Sequence, residues 1–317
     1  AALIPNQKLP VAAHFAAAPG DRYQTDYLDP ATVVAPGASA SNVSHLYAGA
    51  KEVELIDKYK ADLGIPLFDR TVSWGWFWFI AQPIFHLLSW LFKLTGNFGV
   101  AIICLTLIVR AALYPIANRQ YASMAKMRLV QPKMKELQER YKDDKPRQQQ
   151  EIMALYKKEK VNPLAGCLPI LLQIPIFFAL YKTLMLSTEM RHQPFALWIT
   201  DLSAPDPLLV TNLFGLLPFT PPGFLALGVL PVLLGVTMWV QQKLNPAPMD
   251  EVQKQVFAFM PWIFMFIMAP FAAGLQLYWV TNNLVSILQQ WLMMKKYPMP
   301  ASPIIEATPT AVSTKQK

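Results

Sequence analysis

Charge is scarce in this chain: only 15% of its residues are Asp, Glu, Lys or Arg, against 54% hydrophobic ones. A typical soluble domain carries about 25% charged residues. Cysteine is nearly absent too. Cys104 and Cys167 both sit in apolar runs, which argues against a disulfide framework or a cysteine metal site and for two small buried hydrophobes. The four histidines are scattered, and no HExxH, GxSxG or Walker pattern occurs, so the enzyme classes those motifs mark find no support. No cofactor is expected, and the chain is not read as an enzyme.

What the chain has instead is long stretches free of acids. Asn97–Gln120, Pro163–Thr188, Gly223–Gln242 and Gln255–Met294 contain neither Asp nor Glu. A bilayer core about 30 Å thick takes roughly 20 apolar residues per helix. The last stretch is long enough for two spans, with Pro270 and Gly274 offering a turn. Five spans are therefore predicted, over 97–117, 164–187, 224–242, 256–270 and 273–294.

The placement of positive charge orients them. Arg119–Lys160 is dense in Lys and Arg, whereas Ser187–Pro222 holds Arg191 alone, and Lys243, Lys254, Lys295 and Lys296 follow later spans. Short basic loops stay on the cytoplasmic side. The alternation puts the N-terminal region outside and the C-terminus inside. It also accounts for most of the net charge of +8 without nucleic acid. The start at Ala1-Ala2-Leu3 shows no signal peptide; an upstream anchor outside this sequence is expected.

Between the spans the character changes. Residues 1–70 carry Pro, Gly, Ser and Asp punctuation and read as strands and loops, the end of an extracytoplasmic β-rich domain. In 71–96, Gln82, His86, Ser89 and Lys93 recur at helical spacing on one face, and Trp74, Trp76, Trp78 and Trp90 crowd the same segment, the pattern of a helix lying on the outer membrane surface; a sixth span is the alternative. Residues 118–163 read as a cytoplasmic helical hairpin. Met124, Met127, Val130, Met134, Leu137 and Tyr141 step by three or four, a narrow seam broken at Asp143-Asp144-Lys145-Pro146. Its methionines offer either ordinary packing or an adaptable surface for recruiting partners, with Met124, Met127, Met134 and Tyr141 as candidates. Residues 188–223 and 243–255 are loops, and 295–317 is a disordered tail. The fold class predicted is thus an all-α membrane bundle of five spans with a hairpin inside and an interfacial helix outside.

Arg110 is the anomaly. It stands in an otherwise apolar helix, where a charge costs about 2.5–3.5 kcal/mol at the centre. Its guanidinium does not neutralise, and no Asp or Glu lies in any of the five spans. By helix rise it sits roughly 18 Å from the outer end of a core of about 30 Å, in the inner half. Either it snorkels to the cytoplasmic edge, or it lines a hydrated groove open to the cytoplasm. Thr106, Gln173, Tyr181, Gln276, Tyr278, Asn282 and Asn283 lie in the spans as further polar groups. Singly, such residues can join helices; together they favour the groove. A fixed positive charge in water would attract the carboxylates of a polar segment crossing the membrane. The driving free energy would come from burying the apolar residues of the same substrate.

Several motifs carry a family likeness. Asn97-Phe98-Gly99 through Val109-Arg110-Ala111-Ala112-Leu113-Tyr114-Pro115, then Tyr121-Ala122-Ser123-Met124-Ala125-Lys126-Met127, Gln131-Pro132-Lys133, Asn162-Pro163-Leu164-Ala165-Gly166-Cys167 and Phe195-Ala196-Leu197-Trp198-Ile199 resemble the YidC family of bacterial membrane insertases. The likeness covers about Trp74 to Trp291. It implies an inner-membrane insertase with five core spans, Arg110 as the arginine of an inner-leaflet groove, and Thr106 and Tyr278 near the substrate path. It implies nascent membrane proteins as substrates and the lipid bilayer and Sec translocon as partners, with independent work as well. Residues 1–70 would be the end of a periplasmic domain. Trp279 stands in the groove where many relatives have Tyr, and 208–222 looks inserted. The weakly basic tail gives ribosome binding little support. A small-solute transporter or channel is the competing reading; it would call for an inverted repeat or an intramembrane acid, and neither is visible.

Overall fold

The computed structural model describes residues 1–159, 168–219, 221–244 and 251–296. Strand β1 (Ala2–Ile4) pairs antiparallel with β4 (His45–Tyr47), and β2 (Ala12–Ala18) with β3 (Arg22–Leu28). The second pair turns at Pro19-Gly20-Asp21, where Gly20 and Asp21 take positive φ. Residues 1–70 hold more than strands and loops. Helix α1 (Val53–Asp62) buries Val53 and Ile56, three apart, on one face, a spacing too brief to stand out from the punctuation around it. Tyr47 packs edge-on against Tyr59 and Phe68, which fastens β4 to α1 and to the 3-10 turn Phe68–Thr71.

Helix α2 (Trp78–Thr95) buries Ala81, Ile84, Phe85, Leu88 and Leu91 and stops at Gly96, which takes φ 66°. These residues share one core with Ile56, Phe68 and Trp74. The polar face of α2 is not left to water alone: Lys93 pairs with Glu54 of α1, and His86 lies 3.8 Å from Asp57.

Helix α3 (Phe98–Ala112) is capped by Asn97, which accepts from the Val100 N–H at 3.1 Å and donates to the Phe195 carbonyl at 2.8 Å. Gly99 leaves room for that loop, since a Cβ there would fall 2.1 Å from the Phe195 ring. The predicted span to 117 is broken. The chain turns at Leu113 and continues as α4 (Tyr114–Arg140), bent by 58° from α3. Pro115 lacks the N–H that would have continued the helix. Helix α5 (Lys145–Lys158), capped by Asp144, returns along α4. Val130 packs against Leu155 and Tyr156, and Lys133 pairs with Glu159 at 2.7 Å.

Helices α6 (Leu168–Leu186), α7 (Val229–Leu244), α8 (Glu251–Met268) and α9 (Ala273–Lys296) complete the bundle. α9 packs against α3, α6 and α7. The loop between α6 and α7 docks on its start, where the Ala273 and Gly274 N–H groups donate to the Ala204 and Leu202 carbonyls. Among the described residues no single helix is long and apolar enough to cross a membrane; the bent pair Phe98–Ala112 and Tyr114–Ser123 passes jointly, and Gln173–Leu186, Val229–Leu244 and Gln255–Met268 are shorter apolar helices. α9 has the length, but Gln276, Asn282, Asn283, Gln289 and Gln290 dilute its apolar character.

Candidate binding groove

The side chains that matter meet on α9. Arg110, in the last turn of α3 and half-buried, donates through Nε to Asn282 Oδ1 at 2.7 Å. One turn earlier on α9, Tyr278 is buried, and its hydroxyl accepts from Gln173 Nε2 of α6 at 2.8 Å. Asn283 reaches the other way and donates to Thr237 Oγ1 of α7 at 3.1 Å. Adjacent asparagines point in different directions, so α9 grips α3 and α7 at one level while Tyr278 grips α6. Thr106, one turn before Arg110 on α3, is buried and donates to the Ile102 carbonyl at 2.8 Å.

Arg110 thus rests against a neutral amide. Among the described residues no carboxylate pairs with it. Tyr278 and Tyr121 are the ionisable side chains that interact with it electrostatically. Tyr121 was not legible as a site residue, because it lies beyond the predicted end of the span. Pro115 was the signal: a bend there lets α4 return beneath Arg110. Lys182, a cation in the predicted second span, was also passed over. Its stem lies along Gly75, where a Cβ would sit 3.5 Å from Lys182 Cε.

Three predicted groove residues stand elsewhere. Gln276 is fully buried and donates from Nε2 to the Met268, Ala269 and Phe271 carbonyls, closing the turn between α8 and α9. Tyr181 stacks on Phe177 and meets Phe271 of that turn edge-on. Trp279 packs against Phe177 of α6 and Phe264 of α8, with centroids 4.9 and 4.8 Å away. All three hold helices together rather than attend Arg110. An apolar partner for each ring explains why an aromatic, with or without a hydroxyl, serves at 279.

In the hairpin, Met134 is buried and its sulfur accepts from the Tyr156 hydroxyl at 3.1 Å, so it belongs to the seam rather than to a free surface. Tyr141 lies at the tip beneath the Arg147 guanidinium, 5.3 Å from ring to charge. The side chains of Met124 and Met127 lie outside the described residues. No group of His, Cys, Asp and Glu among the described residues could hold a metal. What the assembled groups can do is electrostatic: a cation in a polar seam can attract an anion and offer hydrogen bonds, with no nucleophile or acid–base pair beside it.

Residues 90–300 match the family model for the 60Kd inner membrane protein, and residues 1–87 match the model for the YidC periplasmic domain. A membrane protein insertase YidC from Methylobacterium sp. (strain 4-46) is 54% identical over 299 residues, covering 93% of this chain and 48% of its own. One of the same name from Rhizobium etli (strain CIAT 652) is 54% identical over 276 residues, covering 87% and 46%. The chain therefore spans about half the length of the curated relatives it matches. A crystal structure of an active YidC insertase with its first transmembrane domain resolved aligns at a TM-score of 0.54 and 26% identity, over 79% of this chain and 57% of that one.

Proposed function

The chain belongs to the 60Kd inner membrane protein family, and on that footing we propose that it is the core of a membrane protein insertase of the inner membrane. Arg110 carries the reading: its charge is steadied by Asn282 at 2.7 Å and spent on no carboxylate among the described residues. An arginine already neutralised would have nothing to offer a substrate. An arginine facing lipid would be costly. One held by an amide within a polar seam keeps its charge for an incoming anion.

Insertion then proceeds without a nucleotide. The acidic or polar outer segment of a nascent protein enters the seam between α3, α6 and α9 from the cytoplasm. Arg110 attracts its carboxylates, and Gln173, Tyr278 and Thr106 keep the surroundings polar, so the segment gives up less hydration than in hydrocarbon. Apolar residues of the substrate leave between the helices into lipid, and their burial supplies the free energy. In this account α3 with the first turns of α4, then α6, α7, α8 and α9, cross the bilayer, the last two as a pair. Residues 1–70 lie in the periplasm and the hairpin of α4 and α5 in the cytoplasm. Polar α9 is tolerable because its amides and hydroxyls are shared with neighbouring helices. The partners are nascent membrane proteins, with the Sec translocon or without it.

Insertion in vitro into vesicles holding the purified protein tests the electrostatic role. Arg110→Ala lowers insertion of substrates with acidic outer segments by roughly fivefold or more, the factor that about 1 kcal/mol of lost attraction represents, and affects uncharged substrates less. Arg110→Lys retains much of the activity. An equal loss for both substrate classes would sink the reading.

A further inference from the structure

The outer loop between α6 and α7 carries a feature that the groove does not use. From Pro207 to Gln242 the chain has no charged residue. Within it, Leu213, Phe214, Leu216, Leu217 and Phe219 are exposed, Leu216 at 81%. Leu213 and Phe214 take left-handed backbone conformations, φ 52° and 60°. Large apolar side chains rarely sit there, and such strain persists where the surrounding structure or a role requires it.

The base of the loop is firmly built. Leu209 bridges to Gly228, the Val210 N–H donates to the Leu227 carbonyl, and the Val229 N–H donates to the Leu208 carbonyl. Asp206, buried, accepts from the N–H groups of Leu208 and Leu230 and from the Trp198 indole. The tip is equally complete. Asn212 accepts through both its carbonyl and its side chain from Gly215, and the N–H groups of Leu213, Phe214, Leu216, Leu217 and Phe219 donate to carbonyls within the loop. Pro218 has no N–H. Every backbone donor from Leu213 to Phe219 is therefore bonded or absent.

That removes the donor half of the cost of entering hydrocarbon, where a free N–H is expensive. A loop made for water needs neither this closure nor this run of Leu and Phe. A protein partner of ordinary chemistry would be met by some charge or a polar rim, and the tip has no charged residue. Exposed apolar side chains continue in sequence at Leu225, before α7, and at Leu233 within it. We propose that residues 213–219 insert into the acyl–headgroup boundary of the outer leaflet, an anchor that fixes the depth of α7. The proposal rests on the membrane-spanning reading of α7.

Nitroxide accessibility on the full chain in phospholipid vesicles tests it. With Cys104→Ser and Cys167→Ser as background, Leu216→Cys, Leu233→Cys and Ser41→Cys are labelled singly. Position 233 reports a lipid-facing site and 41 a water-facing one. The expected result is that 216 resembles 233, with collisions favouring oxygen over a water-soluble nickel chelate several-fold more than at 41. If 233 reports lipid and 216 reports water, the anchor is refuted while the span stands. If 216 is shielded from both reagents, a protein covers the tip and the lipid assignment is refuted. If 233 itself reports water, the spanning reading fails and the anchor with it.

Discussion

At the residue scale, the proposed function turns on what Asn282 is not. An aspartate there would have the same size and reach, and it would also neutralise Arg110. The present 2.7 Å contact orients the guanidinium through one of its five donors without neutralising it. Asn282→Asp therefore creates a buried ion pair and removes the charge that a substrate would seek. Insertion of acidic substrates falls at least as far as in Arg110→Ala, while thermal stability is held because the one added charge is paired with Arg110. The same insertion assay and a melting curve check this. Wild-type activity in Asn282→Asp would mean that the charge of Arg110 is not what substrates meet. Gln276 and Trp279 show the converse. Both are polar or aromatic in an apolar helix, yet their partners are the α8–α9 turn and the rings of Phe177 and Phe264.

At the scale of elements, the hairpin of α4 and α5 is continuous with the bundle, since α4 leaves α3 at Leu113 with a bend of 58°. The seam of Val130, Met134, Leu155 and Tyr156 makes it a packed unit. Deleting 124–156 should stop insertion while α3, α6, α7 and α9 remain assembled, because their contacts with α9 do not involve the hairpin. Insertion assays and protease protection of the remaining helices would check both halves, and normal insertion would reduce the hairpin to a linker. The two faces of α2 and the three-four seam of α4 were legible because helical periodicity needs only local sequence. So was Arg110, because an unpaired charge in an apolar run is conspicuous. The corner at Leu113 was missed although Pro115 marked it, since composition alone makes 97–117 a single span. α1 was missed because its amphipathic pattern spans few turns. The separation of Tyr181 and Gln276 from Arg110 depends on depth along the helices, and residue type carries no information about that.

At the scale of the molecule, the outer segment and the bundle share one core, from Ile56 and Phe68 through Phe85 to Tyr278. Polar pairs reinforce the outer end. The Lys60 ammonium, 2.8 Å away, holds the Asp69 carboxyl below its ordinary value. A carboxyl depressed in the folded state contributes stability that is complete above its unfolded pKa and lost as pH falls through the folded one. Protection of the α1 amides, their exchange relative to the intrinsic rate at each pH, should thus be steady near neutrality and should fall as the medium drops below about pH 4, the ordinary carboxylate range. Asp69→Asn should show the lower protection already at neutrality, with the difference from the wild type vanishing in acid. An unchanged acid response in that variant would show that another carboxyl governs α1.

The three carbonyls engaged by Gln276 bear on the protein's own biogenesis. A turn between two spans ordinarily leaves acceptors bare at the end of a helix. Here the Gln276 amide of the second helix shares its two N–H groups among carbonyls at the end of the first and in the turn, which ties the two ends together at that point. The same turn is finished only by a third segment, since the Ala273 and Gly274 N–H groups donate to the Ala204 and Leu202 carbonyls, so in the proposed reading the two helices reach their final seating only once the α6–α7 loop has docked.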